Sequence, residues 1–358
     1  MIVGHPFGVV KPRRFLVYSP FFSYNSVMEE KLPAEELTVD SILRPTTWDD
    51  YVGQEKTKKN LRIILDAAKK RGEACDHLLF YGQAGLGKTT LAHLVSKDLG
   101  SNIKITSGPA LEKMGDMAAV LTNLEKNDIL FIDEAHRLNK TIEEVLYPAM
   151  EARKLHLIVG KGPAARMLTI DLPPFTLIAA TTRPSLLSGP LRSRFGASFK
   201  LDYYEAPDIE AIVKRSAKVL NLNVNAEAIR IIAGASRSTP RVANRLLKRV
   251  RDYADVHSEG VVDATTAQKT LEMLEIDNLG LEPQDRRVLE VIIKKFNGGP
   301  VGAATLAAAL SDDRGSLEEV YEPYLMSVGL LERTSSGRRV TPAAYTHLGL
   351  RSPGDPIL

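Results

Sequence analysis

The chain has 358 residues, of which 44% are hydrophobic and 25% charged, a composition typical of a globular protein with room for two or three domains. Its formal net charge is only +3 at pH 7, so bulk charge gives no argument for a nucleic-acid partner. The single cysteine, Cys75, excludes an internal disulfide and a cysteine-based metal cluster, which makes a reducing cytoplasm the expected location. No apolar run in the sequence is long enough to span a bilayer.

The first 27 residues carry Lys11, Arg13 and Arg14 without any acidic residue, so the rest of the chain is neutral overall. This segment is rich in aromatic residues but has no steady period, and its apolar run is too short for a signal peptide. We interpret residues 1–27 as a disordered leader or a mis-assigned start, with Met28 as a candidate native start.

A phosphate-binding motif occupies residues 82–89, whose sequence GQAGLGKT fits the pattern G-x-x-x-x-G-K-[ST] at every fixed position. The apolar run at 77–81 predicts a buried strand before it, and the apolar spacing after Thr89 predicts a helix. The glycines would let backbone N–H groups cradle phosphate oxygens at the helix N-terminus. Lys88 would reach the β- and γ-phosphates, and the Thr89 hydroxyl would ligate Mg²⁺. The full pattern between strand and helix disfavours the alternative, a glycine-rich turn that binds nothing.

A second motif, residues 128–134 (DILFIDE), is an apolar strand that ends in two carboxylates. A buried parallel strand is apolar on both faces, and its carboxyl end is where open α/β sheets bind ligands. Asp133 would hold the Mg²⁺ shell, and Glu134 would orient and deprotonate the attacking water. Together the two motifs predict an ATPase with ATP and Mg²⁺ as cofactors.

Alternating strands and helices over residues 28–204 predict a doubly wound parallel sheet of the α/β class. The alternation is interrupted at 155–172, where two apolar runs flank the turn sequence GKGP and predict a β-hairpin. If the hairpin projects, its apolar residues, including Ile158 and Ile170, would mark a partner site. The alternative, that the hairpin packs flat and belongs to the core, remains open.

The pattern becomes helical over residues 205–277, with helices predicted at 209–220, 226–235 and 241–256, so this unit is an all-helical lid. The last of these helices carries several basic residues, most of which we interpret as a solvated face. Arg241 stands apart because it follows Thr239-Pro240 at the start of the helix.

The C-terminal unit, residues 278–358, predicts three short helices at 283–296, 303–310 and 316–330, followed by a hairpin around the turn SSG, an order that indicates a winged helix. The unit holds nine basic and ten acidic residues, and only its hairpin is basic. We therefore expect Arg333 and Arg338 to contact the DNA backbone. A winged helix also serves protein contacts, and composition alone leaves that alternative open.

A P-loop ATPase with a helical lid and a winged C-terminal unit resembles an AAA+ motor. At the level of motifs the chain closely resembles the RuvB family, the bacterial motors that drive Holliday junction branch migration during homologous recombination and DNA repair. The resemblance covers roughly residues 29–349. Its most specific stretches are RP at 44–45, YVGQ at 51–54, GLGKTT at 85–90, LYPAME at 146–151, GPAAR at 162–166, DLPPFTLI at 171–178, TPRVANRL at 239–246 and GGPVG at 298–302.

The resemblance implies a role for individual residues. The implied nucleotide-binding set is Leu43, Arg44, Gly85, Gly87, Lys88, Thr89, Thr90, Glu151, Ala152, Arg153, Arg194, Tyr204 and Arg241. Within it, Leu43, Arg44, the 151–153 segment and Tyr204 are expected to form the adenine and ribose pocket. Thr182 resembles the polar sensor of the γ-phosphate, Arg241 resembles the lid sensor, and Arg194 resembles an arginine finger given to a neighbouring subunit's ATP.

A finger that acts in trans requires an oligomer, and the resemblance implies a homo-hexameric ring around duplex DNA. It also implies RuvA as the partner of the 155–172 hairpin, RuvC as a further partner in a resolvasome, a part in the SOS response to DNA damage, and a cytoplasmic location without a membrane.

Two other functions fit parts of the sequence. A clamp loader or AAA+ switch would have a similar ATPase core, but the winged C-terminus and the hairpin before Thr182 argue against it. A DEAH-box helicase is suggested by the letters DEAH at 133–136, yet such helicases need a second motor domain, which this chain lacks. We therefore expect His136 to be a local structural residue.

Overall fold

The structure is a computed structural model that describes Met1 and residues 39–160 and 165–351. The leader predicted at residues 1–27 lies outside the described residues apart from Met1. No helix in the described ranges is long and apolar enough to cross a membrane.

Five parallel strands form the central sheet of the first unit. They are β1 (Leu78–Tyr81), β2 (Ile103–Ser107), β3 (Ile129–Asp133), β6 (Thr176–Thr181) and β7 (Ala197–Lys200), in the spatial order β2-β3-β6-β1-β7. Side chains alternate along each strand, so Ile129 and Phe131 of β3 pack into one hydrophobic core and Leu130 and Ile132 into another. This two-sided burial explains why the strand is apolar at every interior position.

Helices cover both faces of the sheet, as the alternating pattern predicted. They are α1 (Val39–Ile42), α2 (Glu55–Arg71), α3 (Lys88–Leu99), α4 (Met114–Thr122), α5 (Lys140–Ala152) and α6 (Gly189–Arg192). Helices α2 and α3 share a core with Phe131, whereas α4 and α5 pack on the opposite face of the sheet. The carboxyl end of the sheet therefore stays open. The P-loop begins there, and the acidic motif ends there.

The predicted hairpin is present and stands apart from the central sheet. Its strands β4 (Lys154–Val159) and β5 (Arg166–Asp171) pair only with each other among the described residues, in antiparallel register. Leu155 at its base is fully buried, and Ile158 near its tip is exposed. The hairpin is thus anchored at one end and leaves the other uncovered.

The lid has four helices rather than the three predicted. They are α7 (Ala206–Val219), α8 (Ala226–Gly234), α9 (Pro240–His257) and α10 (Ala264–Met273), with a two-residue parallel pairing between β8 (Asn223–Val224) and β9 (Val261–Val262). Helix α10 was not predicted because two of the four residues in its buried stripe, Thr266 and Thr270, are polar, which weakens the apolar period; the other two are Ala267 and Leu271.

The C-terminal unit is a winged helix, as predicted. Its elements are α11 (Pro283–Phe296), α12 (Ala303–Leu310), α13 (Arg314–Ser316), a π-helical turn (Leu317–Tyr321), α14 (Glu322–Ser327), the wing strands β10 (Leu331–Thr334) and β11 (Gly337–Val340), and α15 (Pro342–His347). The single helix predicted over 316–330 is therefore broken. Pro323 has no backbone N–H to donate, so the regular hydrogen-bond ladder cannot continue through it, and the π turn lies directly before it.

Ion pairs join the C-terminal unit to the other two. Arg237 of the lid donates to the buried Asp285 at 3.1 Å. Arg183, which follows β6, pairs with Glu319 of the π turn. These contacts hold the winged helix next to both the lid and the carboxyl end of β6.

Candidate nucleotide site and DNA interface

The P-loop connects β1 to α3 and lies against the lid. Gly85 and Gly87 both have positive φ angles, 83° and 95°, which favour glycine. A Cβ atom on Gly85 would also meet Cβ of Arg241 at 3.0 Å. The glycine at position 85 therefore lets Arg241, at the start of α9, come directly over the loop.

Lys88 is buried at the centre of this loop. Its Nζ donates hydrogen bonds to the carbonyl oxygens of Gly82 and Gln83, both at 2.8 Å. Burial lowers the pKa of Lys88 to about 8, with Arg241 adding to the decrease and Asp133 opposing it. An anion in the loop would favour the charged form of the amine, so a buried lysine at this position suits a phosphate ligand.

The acidic motif meets the P-loop at the end of β3. The Thr89 hydroxyl lies 3.4 Å from Oδ2 of Asp133, and the Glu134 N–H donates to Oδ1 of Asp133 at 2.9 Å. Glu134 has φ 48°, a left-handed conformation that is uncommon outside glycine, and its carboxylate is half-exposed with Arg137 3.4 Å away. The two acids thus have different partners, the Thr89 hydroxyl for Asp133 and the Arg137 guanidinium for Glu134.

These oxygens suit a hard cation. A hydroxyl and a carboxylate are ligands of the kind that Mg²⁺ takes together with waters and substrate phosphates. In the described part of the chain, no group of three or more His, Cys, Asp or Glu side chains is arranged to hold a metal ion. The donor set therefore fits Mg²⁺ carried in with a nucleotide better than a dedicated protein cage.

The strand beside β3 ends at the same edge. Nδ1 of His136 lies 3.0 Å from Oγ1 of Thr181, which also accepts from the Arg183 N–H at 3.0 Å. Burial lowers the pKa of His136, so its imidazole is neutral at pH 7. Thr182 follows directly and lines the cavity between this edge of the sheet and the lid. His136 thus ties the acidic motif to the neighbouring strand, consistent with the structural role expected for it.

A cavity of about 790 Å³ lies between this edge of the sheet and the lid, within the usual range for small-molecule sites. The predicted residues that line it are Leu43, Arg44, Gly85, Gly87, Lys88, Thr89, Thr90, Asp133, Glu134, Thr182, Tyr204 and Arg241. Seven cationic side chains line it, Arg44, Lys88, Arg215, Arg241, Arg245, Lys248 and Arg249, against the three acids Asp50, Asp133 and Glu134. The excess of positive charge fits a polyanion such as a nucleoside triphosphate.

Two buried tyrosines support the wall of the cavity. The Tyr204 hydroxyl lies 3.2 Å from the Tyr51 hydroxyl and 3.2 Å from the Leu86 carbonyl oxygen. Burial raises the pKa of Tyr204 to about 12 and also raises the pKa of Tyr51, so both phenols stay protonated. Tyr51 was not predicted as a site residue, although the stretch YVGQ contains it. Arg215, which donates to the Leu43 carbonyl, was not predicted either, because the sequence carries no signal for it.

Glu151, Ala152, Arg153 and Arg194 do not line this cavity. Arg194 instead donates to Oε2 of Glu151 at 2.8 Å and stacks over the Tyr147 ring at 4.8 Å. The structure therefore does not bring the 151–153 segment to the cavity that Leu43, Arg44 and Tyr204 line. The reason is topological. Helix α5 runs back along the sheet, so its last turn comes to the amino end of the strands, where the Met150 carbonyl oxygen lies 3.2 Å from Nε2 of His77.

The hairpin exposes apolar side chains at its tip. Ile158 and Met167 lie opposite each other in the β4–β5 register and are 70% and 71% exposed. Val159 and Leu168 near the tip are also exposed, whereas Ile170 is partly buried against the core of the first unit. Only the tip is thus available as an apolar surface, and the alternative that the whole hairpin is core is wrong.

The two wing arginines differ in environment. Arg333 is half-exposed, but Arg338 is only 8% exposed and forms ion pairs with Glu318 and Glu322. The interaction with Glu322 raises the pKa of Arg338 further above its ordinary value. Both arginines are expected to contact the DNA backbone, but only Arg333 is exposed. Arg338 is covered because Glu318 and Glu322, which no local sequence pattern connects to the hairpin, bind its guanidinium.

Three family models match the chain in succession. The model of the Holliday junction DNA helicase RuvB P-loop domain matches residues 43–201, that of the RuvB AAA lid domain matches 204–277, and that of the RuvB C-terminal winged helix domain matches 278–349.

Curated relatives and solved structures agree with these matches. The chain is 52% identical over 321 residues to the Holliday junction branch migration complex subunit RuvB of Fusobacterium nucleatum, covering 90% of this chain and 96% of the relative. It is 53% identical over 325 residues to the protein of the same name from Dehalococcoides mccartyi, covering 91% and 93%. A solved structure of the Thermotoga maritima RuvB Holliday junction branch migration motor matches with a TM-score of 0.80 and 49% identity, covering 87% of this chain and 100% of that one.

Proposed function

The chain belongs to the RuvB family of Holliday junction branch migration motors, and we propose that it works as a homo-hexameric ring that hydrolyses Mg²⁺-ATP to draw duplex DNA through the junction together with RuvA. As a member of this family the chain is an ATP-dependent DNA helicase with an AAA+ fold. We propose the same division that the sequence indicated, with an ATPase domain at 28–204, a lid at 205–277 and a winged-helix head at 278–358.

The observation that carries the proposal is the convergence of Lys88, Thr89, Asp133, Glu134 and the lid residue Arg241 on one cavity. Leu43, Arg44 and Tyr204, which also line this cavity, are proposed to hold the adenine and ribose. Such a site has a cation for the phosphates, oxygens for a metal and a carboxylate for water, which are the parts that phosphoryl transfer to water requires.

We assign each residue one step. Lys88 exchanges its bonds to the Gly82 and Gln83 carbonyls for phosphate oxygens. Glu134 orients the attacking water and accepts its proton. Thr182 detects the γ-phosphate from the end of β6, and Arg241 connects the same phosphate to the lid. Thr89, directly, and Asp133, through water, would hold Mg²⁺, which would supply positive charge to offset the charge of the phosphates.

Arg194 is proposed to complete the site of a neighbouring copy. The P-loop lies at the carboxyl end of the sheet, whereas Arg194 pairs with Glu151 at the amino end, so one chain does not bring them together. In a ring whose subunits meet head to tail, the amino edge of one sheet can face the cavity of the next. We propose that the segment 151–153 and Arg194 serve the nucleotide of that neighbour.

The tip of the hairpin is the proposed docking site for RuvA. Ile158 and Met167 form an exposed apolar pair on a projection that the ATPase fold does not need for its core. Ile170 is proposed to support the hairpin from its base instead of contacting the partner. RuvC in a resolvasome, a cytoplasmic location and a part in the SOS response complete the proposal, and these rest on the family alone.

The wing is proposed to contact the DNA backbone through Arg333. A half-exposed guanidinium on a hairpin of a domain that is neutral overall fits phosphate contact without reading of sequence. Arg338 belongs to the same cluster but, being buried, is proposed to act behind Arg333.

A synthetic four-way junction tests the function as a whole. Purified chain with RuvA, ATP and Mg²⁺ is expected to convert the junction into two duplexes, and omission of ATP or RuvA is expected to stop or strongly slow the conversion. Conversion that proceeds equally without ATP, or none with every component present, would contradict the proposal. A clamp loader, the second candidate, would hydrolyse ATP on DNA without moving the junction.

A further inference from the structure

A carboxylate lies buried beneath the wing, in a domain whose outer surface is proposed to meet DNA. Glu322 opens helix α14 directly after the π turn and is only 2% exposed. Carboxylates are seldom buried to this extent without paired cations, because desolvation of an unpaired charge is costly. The side chains that compensate Glu322 therefore indicate what it does.

Glu322 binds both wing arginines at once. Its Oε1 accepts from Nε of Arg338 at 2.7 Å, and its Oε2 accepts from Nη2 of Arg338 and from Nη2 of Arg333, both at 3.2 Å. A single oxygen is thus shared by two guanidinium groups. Glu318, one turn earlier, accepts from Arg338 at 2.8 Å and from Arg314 at 3.1 Å.

The wing needs such an acid because of its strand register. Arg333 of β10 and Arg338 of β11 lie directly opposite each other, and like charges in that relation repel. Without a carboxylate between them, the two side chains would turn apart. The shared oxygen of Glu322 instead holds them together.

The two arginines are held with different freedom. The backbone of Arg338 pairs with Val301 through two hydrogen bonds, of 2.9 and 2.8 Å, so its position is fixed at both main chain and side chain. Arg333 is gripped through Nη2, and its side chain remains 50% exposed. A guanidinium has five N–H donors in a rigid, planar arrangement, so hydrogen bonds from Nη2 alone leave the donors on the other nitrogens for a ligand.

We propose that Glu322 is a positioning residue for DNA binding, which holds Arg333 in the orientation that meets a phosphate. The buried Arg338, bound to the same carboxylate, keeps Glu322 in place. This inference rests on the proposed contact between Arg333 and DNA. Glu322 itself touches no DNA, and its contribution passes entirely through the guanidinium of Arg333.

If Glu322 positions Arg333, removal of its charge changes the affinity for DNA in the direction opposite to the one that net charge alone predicts. If the carboxylate only competed with phosphate for the arginines, its removal would make the wing more positive and strengthen DNA binding. If it positions Arg333, its removal weakens binding despite the gain in positive charge. The substitution Glu322→Gln separates the two, because it keeps the size of the side chain and removes its charge.

The test measures the affinity of the full-length chain for a fluorescent duplex by anisotropy over a series of salt concentrations. We expect Glu322→Gln to weaken binding roughly three- to tenfold and to reduce the slope of log affinity against log salt by about one, the effect of one lost phosphate contact. The matched control is Glu332→Gln, which removes an exposed carboxylate from the neighbouring position of β10; its affinity is expected to be unchanged or slightly higher.

Two further variants keep the test decisive if Glu322→Gln unfolds the domain, which thermal melting would reveal. Arg333→Ala is expected to match the loss in Glu322→Gln and to add little to it in the double variant. Arg333→Lys keeps the charge but lacks the fork, and we expect it to recover less than half of the affinity lost in Arg333→Ala. Both changes are at a half-exposed side chain.

The outcomes divide clearly. Tighter DNA binding by Glu322→Gln, or full affinity in Arg333→Lys, would overturn the positioning role while leaving Arg333 as the DNA contact. Unchanged affinity and salt slope in Arg333→Ala would overturn the proposed wing contact itself, and the positioning role with it. Weaker binding in Glu322→Gln with a normal Glu332→Gln control supports the inference.

Discussion

Arg194 donates a hydrogen bond to Glu151 at 2.8 Å, and neither residue reaches the cavity that holds Lys88. Their pairing joins α5 to the loop before β7 at the amino end of the sheet. The guanidinium also stacks on Tyr147, so contacts within its own chain hold the arginine in place. If Arg194 acts as the arginine finger proposed above, the ATPase machinery of this chain is divided between two ends of one sheet, and copies of the chain must associate to unite it.

Binding and chemistry should separate at the two nucleotide motifs. Lys88→Ala removes the buried phosphate-binding cation, so ATP affinity is expected to fall by at least about tenfold. Glu134→Gln removes the base but leaves the phosphate site intact, so ATP should bind normally while kcat falls by about 10²- to 10⁴-fold. Fluorescent-nucleotide titration and phosphate release measure the two effects. An equal loss of ATP binding in both variants would contradict the assignment of Glu134 as the base.

ATP binding should take up a proton near pH 8.5. Burial lowers the pKa of Lys88 to about 8, so at a higher pH much of the nucleotide-free protein carries a neutral Lys88 amine. A bound polyanion favours the charged form of this amine. Proton uptake on binding means that ATP affinity falls as pH rises through this range. Calorimetry in two buffers of different ionisation enthalpy measures the proton directly. Uptake that persists in Lys88→Met would show that another group is responsible.

The lowered pKa of Lys88 also makes the free energy of unfolding depend on pH. Between pH 8 and the ordinary lysine pKa of 10.5, the unfolded chain binds more protons at this site than the folded chain. The contribution of Lys88 to the free energy of unfolding therefore becomes more favourable as pH rises through that window, and the cost of burying its charge applies in full below it. Without nucleotide, Lys88→Met should remove this component from the pH dependence of urea unfolding.

Charged substitutions should affect the two ends of the hairpin differently. Ile158→Asp lies at the exposed tip, so we expect it to abolish RuvA binding and leave the melting temperature unchanged. Ile170→Asp places a charge against the core and should lower the free energy of unfolding by roughly 1–3 kcal/mol. Thr169→Asp, exposed on the same face as Ile158 but further from the tip, is the control for added charge. Normal RuvA binding by Ile158→Asp, measured by surface plasmon resonance, would place the docking surface elsewhere.

Local patterns in the sequence predicted much of the molecule because their signals lie within short segments. The P-loop, the acidic strand, the hairpin and the wing each combine a periodic apolar run with a turn or motif of fixed spacing. The pairing of Arg338 with Glu322 could not be read in this way, because it joins residues 16 positions apart across two different elements. The position of Glu151 beside Arg194 depends on the direction in which α5 crosses the sheet, which a motif does not encode.

Mixing two inactive variants tests most directly the claim that ATP is hydrolysed between copies of this chain. Lys88→Ala subunits lack a working pocket but keep Arg194, and Arg194→Ala subunits keep the pocket but lack the finger. In random mixed rings at equal ratio, about one quarter of the interfaces join an intact pocket to an intact finger. We predict that junction-stimulated ATP hydrolysis, at background level for each variant alone, rises on mixing and is greatest near equal amounts. Hydrolysis that stays at background at every ratio, with mixed oligomers verified by two different tags, would contradict the account.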